Sequence, residues 1–311
     1  MNKMKRWSVL LLALLLLVTA AAGCGGGTAD PAENPADKTQ NTTEEEIPAS
    51  ETLTYSDGEV TLHFTLTEDG HWQWRDDVDF PLDEQYINDM VVLLGQMQQA
   101  QPLRKPGKRS EYGLDSKKKY LHATGADGME LTLYFGDKNK AGQRYFRRSD
   151  REKDIYLAPK EMTAALSRSI YDMMKLPAMP ELETERMHTI VVNGPKVKFS
   201  AKQSDGKWLS QGKDVTKKIE PLAEMLMTLQ MDRCIDYRPS KGVDKLCGLR
   251  DPRAVVRLEY TNTVGVESTL RMEVGSIRGE GRYVRLEGDS TIYLVAREKL
   301  QPLFRLADHG I

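Results

Sequence analysis

Two stretches of the chain share one pattern: GEVTLHFTLTEDGHWQW at residues 58–74 and GPKVKFSAKQSDGKWLS at residues 194–210. In each, apolar and polar residues alternate around an Asp-Gly pair, Asp69-Gly70 in the first and Asp205-Gly206 in the second. Alternation has the two-residue period of a half-buried strand, and Asp-Gly favours the tight turn of a β-hairpin. Each stretch is therefore predicted to be a β-hairpin, and the pair indicates a repeated unit.

An amphipathic helix is predicted after each hairpin, because apolar residues recur there at three- and four-residue spacing. Pro221 lies in the second of these segments and suits a helix only near its first turn. The apolar positions are Tyr86, Ile87, Met90, Val91, Leu94 and Met97 in the first segment, and Ile219, Leu222, Met225, Leu226 and Leu229 in the second.

Further motifs recur in the same order, 135 to 139 residues apart. They are Tyr112-Gly113-Leu114 with Cys247-Gly248-Leu249, Gly136 with Gly275, Gly142-Gln143-Arg144-Tyr145 with Gly281-Arg282-Tyr283, and Ile155-Tyr156-Leu157 with Ile292-Tyr293-Leu294. The predicted fold class is α+β with two tandem repeats, residues 51–178 and 179–311. Each repeat is expected to be an antiparallel β-sheet with helices packed on one face. The repeated aromatic residues Trp72, Trp74, Trp208, Tyr145 and Tyr283 are expected to pack in the core or on a sheet face.

The first 23 residues have the three zones of a secretory signal: basic residues, a short apolar run and small residues before Cys24. The apolar run is shorter than the roughly 20 residues of a membrane span. Ala21-Ala22-Gly23-Cys24 resembles the bacterial lipoprotein lipobox, with Ala in place of the usual first Leu. The resemblance implies that diacylglycerol is attached to the Cys24 thiol and that the chain is cleaved before it. An ordinary signal peptide with an incidental cysteine is the alternative.

Residues 24–50 are rich in Gly, Pro, Asn, Thr and acids and contain almost nothing that a core would bury. They are predicted to be a disordered acidic tether between the lipidated cysteine and the folded part. A flexible chain of this length spans about 25–30 Å on average. The protein is therefore expected at the cell membrane, lipid-anchored and facing the extracytoplasmic side.

The formal net charge of −2 gives no overall attraction to nucleic acid. Beyond Cys24 the chain has Cys234 and Cys247, too few for a four-cysteine zinc site. Outside the cytoplasm these two could form one disulfide, or they could remain buried free thiols.

No catalytic motif stands out. The histidines His63, His71, His122, His188 and His309 are scattered, and Ser116–Lys119 and Ser204–Lys207 match S-x-x-K only within turns. The acidic cluster Asp76, Asp77, Asp79 and Asp83 could chelate calcium or could cap the start of a helix. Residues 101–160 are basic, and they could face an anionic surface, form a solvated face or pair with the acidic residues 51–100. No metal, no cofactor and no enzymatic activity are expected.

The hairpin Trp, the Tyr-Gly-Leu loop, the strand that ends at Gly and the later Tyr strand resemble the bacterial family called domain of unknown function 4340. The resemblance covers about residues 53–306 in tandem copies, and Cys247 departs from it because an aromatic residue usually stands there. Members are typically envelope lipoproteins, and some are encoded beside components of ABC transporters. The resemblance carries no catalytic residues.

These expectations together describe a non-catalytic docking or scaffold component of a membrane complex, with a protein of the ABC-exporter type as its partner. A receptor for a small ligand or cell-wall polymer, bound between the two repeats, is the alternative function.

Overall fold

The computed structural model describes residues 50–163, 166 and 168–310. Its first sheet, among these residues, has seven strands. They are β1 (Ser50–Asp57), β2 (Thr61–Leu66), β3 (Trp72–Trp74), β4 (Lys119–Gly125), β5 (Glu130–Lys138), β6 (Arg144–Arg148) and β7 (Tyr156–Ala158). They pair antiparallel in the order β3-β2-β1-β4-β5-β6-β7.

The second sheet has nine strands within the described residues. They are β8 (Met187–Asn193), β9 (Lys198–Ser204), β10 (Lys207–Ser210), β11 (Lys213–Asp214), β12 (Arg233–Asp236), β13 (Ala254–Thr261), β14 (Glu267–Arg278), β15 (Gly281–Leu286) and β16 (Ile292–Ala296). Their order is β11-β10-β9-β8-β13-β14-β15-β16-β12, again with antiparallel pairing. Its central strands follow the same order as those of the first sheet, and β11 and β12 extend its two edges.

Both predicted hairpins form, but their turns differ. In the second, Ser204 pairs with Lys207, so Asp205 and Gly206 are the whole turn and both have positive φ. This is the backbone that a two-residue type I′ turn requires. In the first, pairing ends at Leu66 and Trp72, and five residues make the turn.

The helices carry apolar faces onto these sheets, so the class is α+β with sheet predominating. Helix α1 (Gln85–Gln98) packs on β1. Helices α3 (Thr216–Thr228) and α5 (Gln301–His309) pack on each other, α3 on β10 and α5 on β8 and β13. Shorter helical segments are α2 (Lys160–Thr163), α4 (Val243–Leu246) and the 3₁₀ turns Arg109–Tyr112, Ile170–Met173 and Thr184–Arg186. In the part of the chain that the structure describes, no helix has the length and apolar character to cross a bilayer.

Helix α3 begins five residues before Pro221, so the proline lies in the second turn. The sequence had suggested a position in the first turn. Proline there removes the hydrogen bond to the carbonyl of Lys217. Pro221 and Lys217 are both exposed, so water can reach the carbonyl that the proline leaves unpaired. The core face of the helix, which includes Ile219, Leu222 and Leu226, stays buried.

One continuous cluster of buried apolar side chains runs through both sheets, with Phe64, Phe146, Trp208 and Tyr293 among its largest members. The expected core role holds for Trp72 and Trp208, whereas Trp74, Tyr145 and Tyr283 are half-buried. The indole N–H groups of Trp74 and Trp208 are buried and have no hydrogen-bond partner among the described residues.

Candidate functional site

Cys24, the predicted lipidation site, lies outside the described residues, as do the signal peptide and nearly all of the tether. Cys234 and Cys247 are both free thiols, and both are buried. They lie in different apolar clusters: Cys234 joins the main core, whereas its neighbour Ile235 packs with Cys247, Leu249 and Ile292. Strand β12 has a register shift at Ile235, and it is Ile235, not Cys234, that packs beside Cys247.

Burial is the main reason that both thiols have raised pKa values. The pKa of Cys234 is raised to about 12, with the nearby Asp236 carboxylate adding to the effect. The pKa of Cys247 is also raised, again mainly by burial. Neither thiol has the lowered pKa that marks a nucleophilic cysteine.

The acidic cluster lies at the contact between the two sheets. The Arg238 guanidinium pairs with Asp77 at 3.0 Å and with Asp79 at 3.5 Å. Beside this pair, the Phe80 and Tyr237 rings meet edge to face at 5.1 Å, and the Tyr237 hydroxyl donates to the Asp79 carbonyl at 3.2 Å. Two of the four acidic residues therefore join the halves of the chain.

A fourth member of that cluster, Asp83, has the capping role that the sequence allowed. Its Oδ1 accepts the backbone N–H of Gln85, the first residue of α1, at 3.2 Å. Nowhere in the described ranges do three His, Cys, Asp or Glu side chains come together as a metal ion would require.

Two residues of the basic segment are buried instead of lying on a solvated face. Arg147 is 2% exposed, and its guanidinium lies over the Tyr134 ring at 4.2 Å. Arg148 is 6% exposed and pairs with Asp150, which holds the pKa of that carboxyl below its usual range. Asp150, which forms this ion pair, belongs to the basic segment itself, and Arg148 also donates to the backbone carbonyl of Gln98, within residues 51–100.

The most distinctive site geometry is an arginine contact that occurs once in each sheet. In the first sheet, Arg144 Nη1 donates to the carbonyl of Gly136 at 3.0 Å. In the second, Arg282 Nη1 donates to the carbonyl of Gly275 at 2.9 Å. Each glycine lies at a register shift where the strand bulges. The bulge leaves a carbonyl that the neighbouring strand does not use, and the arginine reaches it.

A cleft opens beside each of these contacts. In the first sheet, spaces of about 200 Å³ and 360 Å³ share Asp57, Lys119 and Phe135, and the smaller one also reaches Arg144. In the second, spaces of about 680 Å³ and 180 Å³ share Arg282. The Nε atom of Arg144 is buried and has no partner among the residues described.

The sequence did contain a signal for these clefts. Arg-Tyr recurs as Arg144-Tyr145 and Arg282-Tyr283, but only the tyrosines were expected to have a structural role. The Gly-Leu turns also contribute: Gly113 and Gly248 both have φ of 67° and line the clefts. The arginines could not be recognised as site residues before the bulges that they contact were known.

Comparison with known proteins places this chain, with its two antiparallel sheets, in one family. The model of the family described as domain of unknown function (DUF4340) matches residues 72–246, which is more than half of the chain. The chain belongs to this family. The match is a single span that runs from β3 in the first sheet to α4 in the second half, so it does not by itself divide the chain into copies. No curated protein and no solved structure matches the chain significantly.

Proposed function

We propose that this chain is a lipid-anchored extracytoplasmic protein that acts as a non-catalytic docking component of a membrane complex. Its two sheets are copies of one unit, residues 51–178 and 179–311, in this proposal. The corresponding strand orders and the matching contacts of Arg144 and Arg282 support the duplication. An ABC-type exporter is the partner that the family resemblance favours.

The observation that carries the docking role is the exposure of apolar side chains at one hairpin tip. The turn between β13 and β14 exposes Val264 at 81% and Val266 at 56%. The corresponding turn between β4 and β5 exposes Met129 at 55%. Single exposed apolar residues are ordinary, but two on the same rigid turn, separated by one glycine, provide an anchor of the kind that protein interfaces use.

The β13–β14 tip is held rigidly enough to present these valines. The side chain of Asn262 accepts the backbone N–H groups of Val264 at 3.1 Å and Val266 at 2.9 Å. The backbone of Asn262 also bonds to Val266 and Gly265. A preorganised turn loses little conformational entropy on binding, so the valines can contribute their full apolar burial.

The partner's location follows from the anchor. A tether of residues 24–50 keeps the folded part within about 25–30 Å of the lipid on average. We therefore propose that the β13–β14 tip binds the extracytoplasmic part of an integral membrane protein.

The test is crosslinking in cells, followed by purification of the tagged full chain in mild detergent. Wild type is expected to bring down one membrane complex in near-stoichiometric amount. The double variant Val264→Asp, Val266→Asp is expected to lose it, because two buried carboxylates would oppose binding. Val60→Asp is the matched control, since Val60 is 55% exposed in another turn. Recovery of the same complex with the double variant would exclude the tip as the docking site.

The receptor alternative is favoured by a different observation, the cleft around Arg282. That cleft lies within the second sheet, so a ligand there would not need the junction between the halves.

A further inference from the structure

The cleft beside Arg282 is the largest of those described above, at about 680 Å³. It is lined by Gly248 and Gly275 and by the apolar residues Pro195, Pro252 and Ile277. This volume lies within the range of small-molecule sites, which combine apolar walls with a few converging polar groups.

Two arginines line this space and a third lines the space beside it. Arg282 lines it and also lines the adjoining space of about 180 Å³, which Arg297 lines as well. Arg253 lines the larger space. Arg282 is held in place from two sides, by its bond to the Gly275 carbonyl at 2.9 Å and by the Phe304 ring 4.2 Å from its guanidinium.

Nearby carboxylates neutralise only part of the positive charge of these three arginines. Arg253 pairs with Asp308 at 2.8 Å, and Asp251 lines the same space. Arg297 forms no side-chain hydrogen bond or ion pair with any residue in the described ranges. Burial, and then the proximity of Arg297 and Arg253, lower the pKa of Arg282. An anion in the cleft would relieve this repulsion.

The first sheet provides an internal comparison. Its Arg144 makes the same bond, but its cleft carries the carboxylates of Asp57, Glu59 and Asp137. Asp137 follows Gly136 directly, whereas the residue after Gly275 is Ser276. Backbone N–H groups of Val60 and Glu59 hold the pKa of Asp57 below its usual range, so that carboxylate is charged. Lys118, Lys119 and Arg144 also line these spaces and balance the three carboxylates, whereas the arginines of the second cleft outnumber its two carboxylates. The second cleft is therefore the better site for an anion.

We propose that the cleft formed by Arg282, Arg253, Arg297 and Ser276 binds the phosphate or carboxylate group of a small molecule with a partly apolar body. Arginine presents a planar fork of N–H donors that matches either oxyanion. The Ser276 hydroxyl is a further donor at the cleft wall. Pro195, Pro252 and Ile277 are available to the apolar part of the ligand. This inference rests on the receptor alternative alone, and its failure would leave the docking proposal unaffected.

The test is isothermal titration of the full chain in neutral detergent with phenyl phosphate, phenylacetate and benzyl alcohol. The two anions distinguish phosphate from carboxylate, and benzyl alcohol carries no charge. Dihexanoyl phosphatidylglycerol in the same titration distinguishes a lipid headgroup from a soluble ester. We expect binding of at least one anion, weakened by added salt, and none of benzyl alcohol.

Arg282→Gln is expected to weaken anion binding at least about tenfold. Because Arg282 also contacts Gly275 and Phe304, this variant could unfold the site. Arg297→Gln is therefore the second variant: its side chain has no bond to lose, and we expect about threefold weaker binding with an unchanged melting temperature. Arg144→Gln is the matched control from the first sheet and should leave the affinity within about twofold.

Absence of binding by all the anions would overturn the proposal. Equal weakening by Arg144→Gln and Arg282→Gln, or binding that persists unchanged in both Arg282→Gln and Arg297→Gln, would also overturn it.

Discussion

Phe80 in the first half of the chain and Tyr237 in the second are in edge-to-face contact, with ring centroids 5.1 Å apart and planes at 86°. Trp74 extends the contact, with its ring 5.4 Å from Phe80. Phe80 is 5% exposed, so this aromatic group is part of the core that the sheets share. The neighbouring ion pairs of Arg238 are much more exposed.

Replacing Phe80 should therefore cost far more stability than replacing Arg238. Phe80→Ala is expected to lower the free energy of unfolding by about 3–5 kcal/mol, because it leaves a cavity between the halves. Arg238→Ala should produce only a small change, since solvent screens an exposed pair. Urea unfolding of the two variants measures both. A larger loss in Arg238→Ala than in Phe80→Ala would show that charge, not packing, joins the sheets.

Gly275 is expected to tolerate no side chain. A Cβ there would lie 2.2 Å from the backbone carbonyl oxygen of Cys247, and a backbone atom cannot move aside cheaply. Gly275→Ala should lower the free energy of unfolding by about 3 kcal/mol or more. Gly265→Ala is the control, because φ there is positive but nothing lies within 4 Å, and its cost should be about 1–2 kcal/mol. Similar losses in the two variants would contradict the close approach.

The buried thiol of Cys234 should make the protein less stable in alkali. Its pKa is about 12 in the folded state against an ordinary value of 9.0, so the folded thiol keeps its proton where the unfolded thiol has lost it. Stability from this group is complete below pH 9 and falls as the pH rises from 9 towards 12. The slope for one such group is about 1.4 kcal/mol per pH unit.

Urea unfolding at pH 8, 9 and 10 measures this slope. Cys234→Ala should reduce it and leave the contribution of the buried Cys247 thiol, whose pKa is also raised. The comparison stops at pH 10 because the buried Tyr55, whose pKa is raised to about 12 mainly by burial, contributes increasingly above that pH. An identical pH profile in wild type and variant would rule out the Cys234 thiol as the cause.

Cys24→Ser should release the protein from the membrane. The variant lacks the thiol that receives diacylglycerol in the proposed pathway, so it should neither incorporate labelled palmitate nor partition into the detergent phase of Triton X-114. Cys247→Ser is the control and should keep both properties, because Cys247 is buried in the folded part. Palmitate labelling that survives in Cys24→Ser would place the anchor elsewhere.

Local patterns predicted the regular elements well. The Asp205-Gly206 turn and the apolar faces of α1 and α3 could be predicted from the sequence because each depends on residues close together in the chain. The cleft around Arg282 could not be predicted, since Arg282 acquires its neighbours only when β14 bulges and α5 folds back beside it. The packing of Cys234 and Ile235 in different clusters likewise depends on the placement of β12 at the sheet edge.

Strand β12 has the second sheet on one side and the 3₁₀ turn Ile170–Met173 of the first half against it. The Tyr171 hydroxyl reaches the Asp236 carboxylate of that strand at 3.4 Å. The two halves should consequently melt in a single cooperative transition. A fragment that starts at residue 179 would lack the 3₁₀ turn that packs against β12. Its exposed edge strand would then be free to pair with another copy, so we expect the fragment to self-associate.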